Sequence, residues 1–173
     1  MCSLESLKID LKGLKEGEIA LAYDLDDTYF RAIDAPEVNK GRVHVSLAIR
    51  KQSGFFELLF HTEGTVIVPC DRCLDEMSQP IEADNRLLVK MGAGYSEDDD
   101  MVTIDENEGI LDLSWFIYEF IALAIPLKHV HEPGKCNVAM IEALEEHSAA
   151  RSSETDDPQD FDPRWEALMK LKK

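Results

Sequence analysis

The stretch Arg42-Val43-His44-Val45-Ser46-Leu47-Ala48-Ile49-Arg50-Lys51 sends Val43, Val45, Leu47 and Ile49 to one side and Arg42, His44, Ser46 and Arg50 to the other. A period of two marks a half-buried β-strand, because successive side chains on an extended backbone leave opposite faces. Similar runs lie on both sides of it. Lys8 to Leu14 and Glu18 to Leu25 are short and partly alternating, with the turn-like Lys15-Glu16-Gly17 between them. Downstream, Gly54 opens a strand from Phe55 to His61, and Gly64 opens another from Thr65 to Val68. Gln79 to Lys90 reads as a further strand, bulged near Asp84-Asn85, and Met101 to Ile104 as a brief one. Gly92 to Asp100 reads as a loop, and its Gly92-Ala93-Gly94 is too short for a dinucleotide fingerprint. Short strands joined by polar turns predict an α+β chain built mainly on an antiparallel sheet or open barrel.

One long apolar helix is expected to pack on that sheet. Asp112 suits its N-cap, and Leu113 to Ile125 carries large apolar residues around most of the circumference, which predicts burial on several sides. By helical angle Glu119 falls among Trp115, Phe116 and Leu123. A carboxylate buried there needs a cation, for which Arg72 is the candidate; the alternative is a Glu119 that snorkels to solvent at the helix edge. A short helix follows from Val138 to His147. The predicted organisation is a β-rich domain over residues 1–147, an acidic flexible linker over 148–161 and a short amphipathic helix over 162–173. Trp165, Leu168 and Met169 form one apolar face of that last helix, which docks either on its own domain or in a partner's groove; with Arg164 they are the candidate partner-binding residues.

The 173 residues, 45% of them hydrophobic, suffice for one core without covalent staples. The longest apolar run, Trp115 to Leu127, is interrupted by Glu119 and ended by Pro126, so it reads as a buried helix and not a membrane span. No secretory signal is visible at the N-terminus, and a cytoplasmic location is expected, where four cysteines seldom form structural disulfides. Thirty-five acidic residues against eighteen basic ones give a net charge of -17. That field repels a phosphate backbone, disfavours direct RNA binding and favours a basic protein partner.

Chemistry concentrates in the cysteines. Cys70 and Cys73 have C-x-x-C spacing, and His131-Glu132-Pro133-Gly134-Lys135-Cys136 can fold back to supply two more ligands. Cys70, Cys73, His131 and Cys136 would make a closed, structural zinc site, with His129 competing for the nitrogen position. Two other readings stand beside it: a thiol–disulfide redox pair at Cys70/Cys73, whose thiolates Asp71 would disfavour, and three small buried residues without chemistry. A second motif, Ile19-Ala20-Leu21-Ala22-Tyr23-Asp24-Leu25-Asp26-Asp27-Thr28, has the Asp-x-Asp-x-Thr form of haloacid-dehalogenase-type phosphatases, with Asp24 as nucleophile and Asp26 as general acid. That chemistry needs a parallel sheet with crossover helices, which the run of strands does not suggest; Asp24 to Asp27 reads equally as a solvated hairpin end.

Val68-Pro69-Cys70-Asp71-Arg72-Cys73 is similar to the C-x-R-C signature of the YceD family, the large ribosomal RNA subunit accumulation proteins. Glu119-Phe120-Ile121-Ala122-Leu123-Ala124-Ile125-Pro126 resembles that family's acidic-then-apolar helix, and His131 and Cys136 match the residues that follow it. Asp162-Pro163-Arg164-Trp165 with Leu168 and Leu171 resembles its closing block. The resemblance implies a non-enzymatic part in accumulation or processing of large-subunit ribosomal RNA. A polyanionic chain suits such a role if it holds a basic ribosomal protein or an RNA-processing protein, which is the partner expected here.

Overall fold

The computed structural model of the chain describes residues 4–14, 17–35, 37–98 and 101–148. The chain divides between Asn137 and Val138 into two units. In the first, a short 3-10 helix, Leu4–Leu7, leads into β1 (Lys8–Asp10) and β2 (Glu18–Leu25), followed by helix α1 (Asp27–Ile33). Then come β3 (Gly41–Gln52), β4 (Phe55–Pro69), β5 (Glu76–Gly92), β6 (Ser96–Asp98), β7 (Met101–Asp105), β8 (Ile110–Asp112) and α2 (Ser114–Ala124). The second unit begins with α3, Val138–His147. Six strands form one sheet in the order β2-β3-β4-β5-β7-β6, and β1 and β8 form a separate antiparallel ribbon. The fold is thus α+β on a mostly antiparallel sheet, with one parallel pair, β5 with β7.

Alternation in β3 does what its pattern predicts. Val43, Val45, Leu47 and Ile49 are buried, and they share one core with Leu58 and Phe60 of β4 and Val89 of β5. Tyr29 and Phe30 of α1 and Phe116, Ile117, Tyr118 and Ile121 of α2 complete that core. Burying aromatic and branched side chains at about 1.5–3 kcal/mol each is the main source of stability. Polar ends of the large side chains are also satisfied: the Tyr29 hydroxyl donates to the Ser114 carbonyl (2.8 Å), and the Val38 amide donates to the Tyr118 hydroxyl (3.2 Å).

Several local expectations are corrected. Gly64 does not separate two strands, because β4 runs through it without interruption. A Cβ at this position would lie 2.3 Å from the Arg42 carbonyl oxygen, so the glycine permits close approach of β3 instead of ending β4. No bulge interrupts β5 near Asp84-Asn85: pairing with β4 proceeds one to one from Phe56↔Val89 to Pro69↔Glu76. The loop from Gly92 contains β6, and the first predicted strand stops at Asp10, whose carboxylate accepts from the Gly13 amide (2.9 Å). The predicted hairpin end at Asp24 to Asp27 instead starts α1. There Asp26 is the N-cap and accepts from the Thr28 amide (2.9 Å), and Asp34 closes the helix in left-handed conformation.

Helix α2 is less enclosed than its composition suggests. Trp115 is 50% exposed and Leu123 80% exposed, and Glu119 lies between them on the open side. Among the described residues no ion pair joins Arg72 to Glu119. The Glu119 carboxylate instead accepts from the Trp115 indole (2.8 Å), one turn back on the same helix, and an exposed carboxylate needs no buried cation. Asp112 accepts from the Ser114 amide (2.9 Å), but the N-cap position itself belongs to Leu113. Of the predicted linker only Ser148 is described; the rest, and the helix carrying Arg164, Trp165, Leu168 and Met169, lie outside the described residues.

Candidate metal centre

The cysteine turn grows out of the end of β4. Pro69 is the last strand residue, and the chain reverses at once: Cys70 donates its amide to the Asp75 carbonyl (2.9 Å), and the Leu74 amide donates to the Cys70 carbonyl (2.9 Å). To close the turn Leu74 takes a left-handed conformation, φ 63°, uncommon for a bulky residue. Within this loop the Arg72 amide points at the Cys70 sulfur (3.5 Å).

A second segment arrives after α2. Pro126 helps to end the helix, and the Asp71 amide donates to the His129 carbonyl (3.0 Å) while the His129 amide donates to the Asp71 carboxylate (2.7 Å). This reciprocal pair sets the register of the two segments. It places His131 so that its amide reaches the Cys70 sulfur (3.4 Å) and its Nδ1 lies 3.4 Å from the Cys73 sulfur. Gly134, at φ 82°, and the bond from the Lys135 amide to the Glu132 carbonyl (3.0 Å) then turn the chain so that Cys136 approaches. Asn137 fastens the exit through its side-chain amide to Asp75 (3.2 Å).

The four residues expected to form a site are therefore together. One donor atom from each of Cys70, Cys73, His131 and Cys136 lies within 4.8 Å of all the others. Cys70 and Cys73 are buried, and no disulfide joins any of the three cysteines. Bond lengths of about 2.3 Å to sulfur and 2.0–2.1 Å to nitrogen give a tetrahedral S–N edge of roughly 3.5 Å. The 3.4 Å between Cys73 and His131 fits that edge. Three thiols and one imidazole around a space of this size can hold a metal ion. His129 is excluded from that role by its bonds: Nδ1 faces the Pro126 carbonyl (3.0 Å) and Nε2 faces the Asp71 carboxylate (3.4 Å).

Electrostatics prepares Cys70 to be a ligand. Burial, the largest influence, pushes its thiol up, but the amides of Cys73, Arg72 and His131 and the Cys73 thiol pull it down to about 6. Asp71, expected to disfavour the thiolates, is turned toward His129. Cys136 is pushed up to about 11, first by burial and then by the thiols of Cys73 and Cys70 crowding it. A cation among the sulfurs would reverse that crowding.

The Asp-x-Asp-x-Thr segment lies elsewhere. Asp24 sits on the edge strand β2 opposite His44, whose Nδ1 is 2.8 Å from its carboxylate. Asp26 caps α1, and Asp27 accepts from the Gly41 amide (3.0 Å). An open depression of about 690 Å³ lies beside Asp24, Asp26, Arg42, His44 and Glu63, and none of the three clustered cysteines lines it. β2 pairs antiparallel with β3, so the parallel sheet that would present this motif for phosphoryl transfer is not what its strand belongs to. Sequence reasoning missed the His44–Asp24 pair and its counterpart, His61 with Asp84 (2.8 Å), because cross-strand neighbours are set by register.

A mostly antiparallel α+β domain with a Cys3His cluster between a strand-end turn and a post-helix loop is the class that these observations define. The model of the family "Large ribosomal RNA subunit accumulation protein YceD" matches residues 58–172, and the chain belongs to that family. The match takes in β4 from Leu58 onward, the cysteine turn, α2 and both later ligands. No curated protein and no solved structure matches the chain. Among the described residues no helix is long and apolar enough to cross a membrane.

Proposed function

We propose that this protein is a non-enzymatic factor that supports accumulation of large-subunit ribosomal RNA through contacts with a basic protein, and that its cysteine cluster holds a structural zinc ion. The family match over residues 58–172 carries the reading. The donor set supports zinc, since four protein ligands make a closed site with no position left for a reacting water. Zinc would cross-link the end of β4 to the segment after α2, and the chain itself supplies the thiolate-stabilising amides and the His131 ring. A closed tether of this kind has a scaffolding role.

The net charge of -17 supports a basic partner, because complementary fields speed encounter and a polyanionic surface repels RNA. A cytoplasmic site of action follows from the same reading. The redox alternative at Cys70/Cys73 is less favoured, because both thiols are buried and a third thiol and an imidazole converge on them. Depletion of the protein from its host, followed by gradient sedimentation of ribosomal particles, tests the proposal. Large subunits are expected to fall while small subunits persist; an unaltered profile would contradict it.

A further inference from the structure

Helix α3 has the makings of a docking element. None of its ten residues is buried: Val138 and Leu144 are 68% and 47% exposed, and Met140 and Ile141 are half-buried. Ile141 and Leu144, three residues apart, share one side of the helix with Met140, while Glu142, Glu145 and Glu146 fill the adjoining side. The helix carries no Lys or Arg. Its acidity continues beyond it: between Val138 and Asp162 the sequence has eight carboxylates against the single Arg151. A ten-residue helix is marginal by itself in water, so a stripe like this gains most by lying in another protein's groove.

We propose that α3 is the element that engages the basic partner: Ile141 and Leu144 seat in an apolar groove of that protein, and Glu142, Glu145 and Glu146 meet Lys or Arg side chains on its rim. The proposal rests on the protein-partner reading given above and adds to it the surface and the chemistry of recognition. Apolar anchoring gives the helix its orientation, and the flanking carboxylates give charge selectivity.

The test uses the full-length chain and, as probe, the basic protein fraction stripped from large ribosomal subunits by high salt, with polylysine as the control. Leu144→Ser and Ile141→Ser are expected to weaken binding of the fraction by about tenfold or more, and to leave polylysine binding unchanged. Replacing Glu142, Glu145 and Glu146 together by Gln is expected to weaken both. If the fraction binds every variant as it binds the wild type, while depletion still lowers large-subunit RNA, α3 is not the docking element and the broader reading stands. If nothing in the fraction binds and depletion leaves the RNA unaltered, both are overturned. If Leu144→Ser instead converts a dimer to a monomer, the stripe serves a second copy of this chain and the proposal is overturned.

Discussion

His129 and His131 stand two residues apart, yet the bonds around each ring assign them different tasks. The Nδ1 of His131 faces the Cys73 sulfur at 3.4 Å, whereas His129 is held between the Pro126 carbonyl and the Asp71 carboxylate. His131→Ala is therefore expected to abolish stoichiometric zinc uptake, and His129→Ala to keep one zinc per chain; elemental analysis of the two purified variants checks this. A second residue-scale prediction concerns His61. Its hydrogen bond to Asp84 raises its pKa above the ordinary 6.5, although burial opposes the shift, and Asp84, Glu63 and Glu82 add to it by charge. Because the folded value lies above the unfolded one, this stabilisation is complete below about pH 6.5 and fades as the pH rises through the folded value. Asp84→Asn is expected to lower the His61 titration midpoint measured by NMR.

At the scale of elements, the sheet is held by close registers that single residues permit. Gly64→Ala would drive a methyl group to 2.3 Å from the Arg42 carbonyl oxygen, against backbone that cannot give way cheaply. The expected loss is about 3 kcal/mol in denaturant unfolding, at the upper end of overpacking costs. Asp26→Ala, which removes the side-chain cap of α1, is expected to cost about 1 kcal/mol by the same measurement. These two residues also show what a sequence conceals. The β3 alternation was legible because burial on one face follows a local period. Gly64 reads as a break because its reason, the proximity of β3, is non-local. Asp26 was obscured by the neighbouring aspartates, although Asp-x-Thr ahead of Tyr29-Phe30 is itself a cap signal. The cluster Cys70, Cys73, His131 and Cys136 was legible in its members because the ligand types are few. The choice between His129 and His131 depends on a reciprocal pair of hydrogen bonds between Asp71 and His129 that no spacing reveals. The Arg72–Glu119 pair failed for a similar reason, since helical angle alone cannot say which side of α2 the sheet covers.

For the whole molecule, one unit carries the sheet, its helices and the Cys3His cluster, while an acidic, exposed helix opens the next. On the function proposed above, the first serves as scaffold and α3 as contact surface, and a metal in the Cys3His cluster would hold the scaffold's last segment. Zinc withdrawal by a chelator is then expected to lower the unfolding temperature of the wild type and leave that of Cys70→Ser unaltered, as scanning calorimetry would record. The central claim, support of large-subunit RNA without catalysis, is tested most directly by the ratio of large- to small-subunit ribosomal RNA in depleted host cells complemented with variants. The account predicts a low ratio on depletion, restored by wild type and by Asp24→Asn but not by Cys70→Ser. A ratio unaltered by depletion, or one that Asp24→Asn fails to restore, would contradict it.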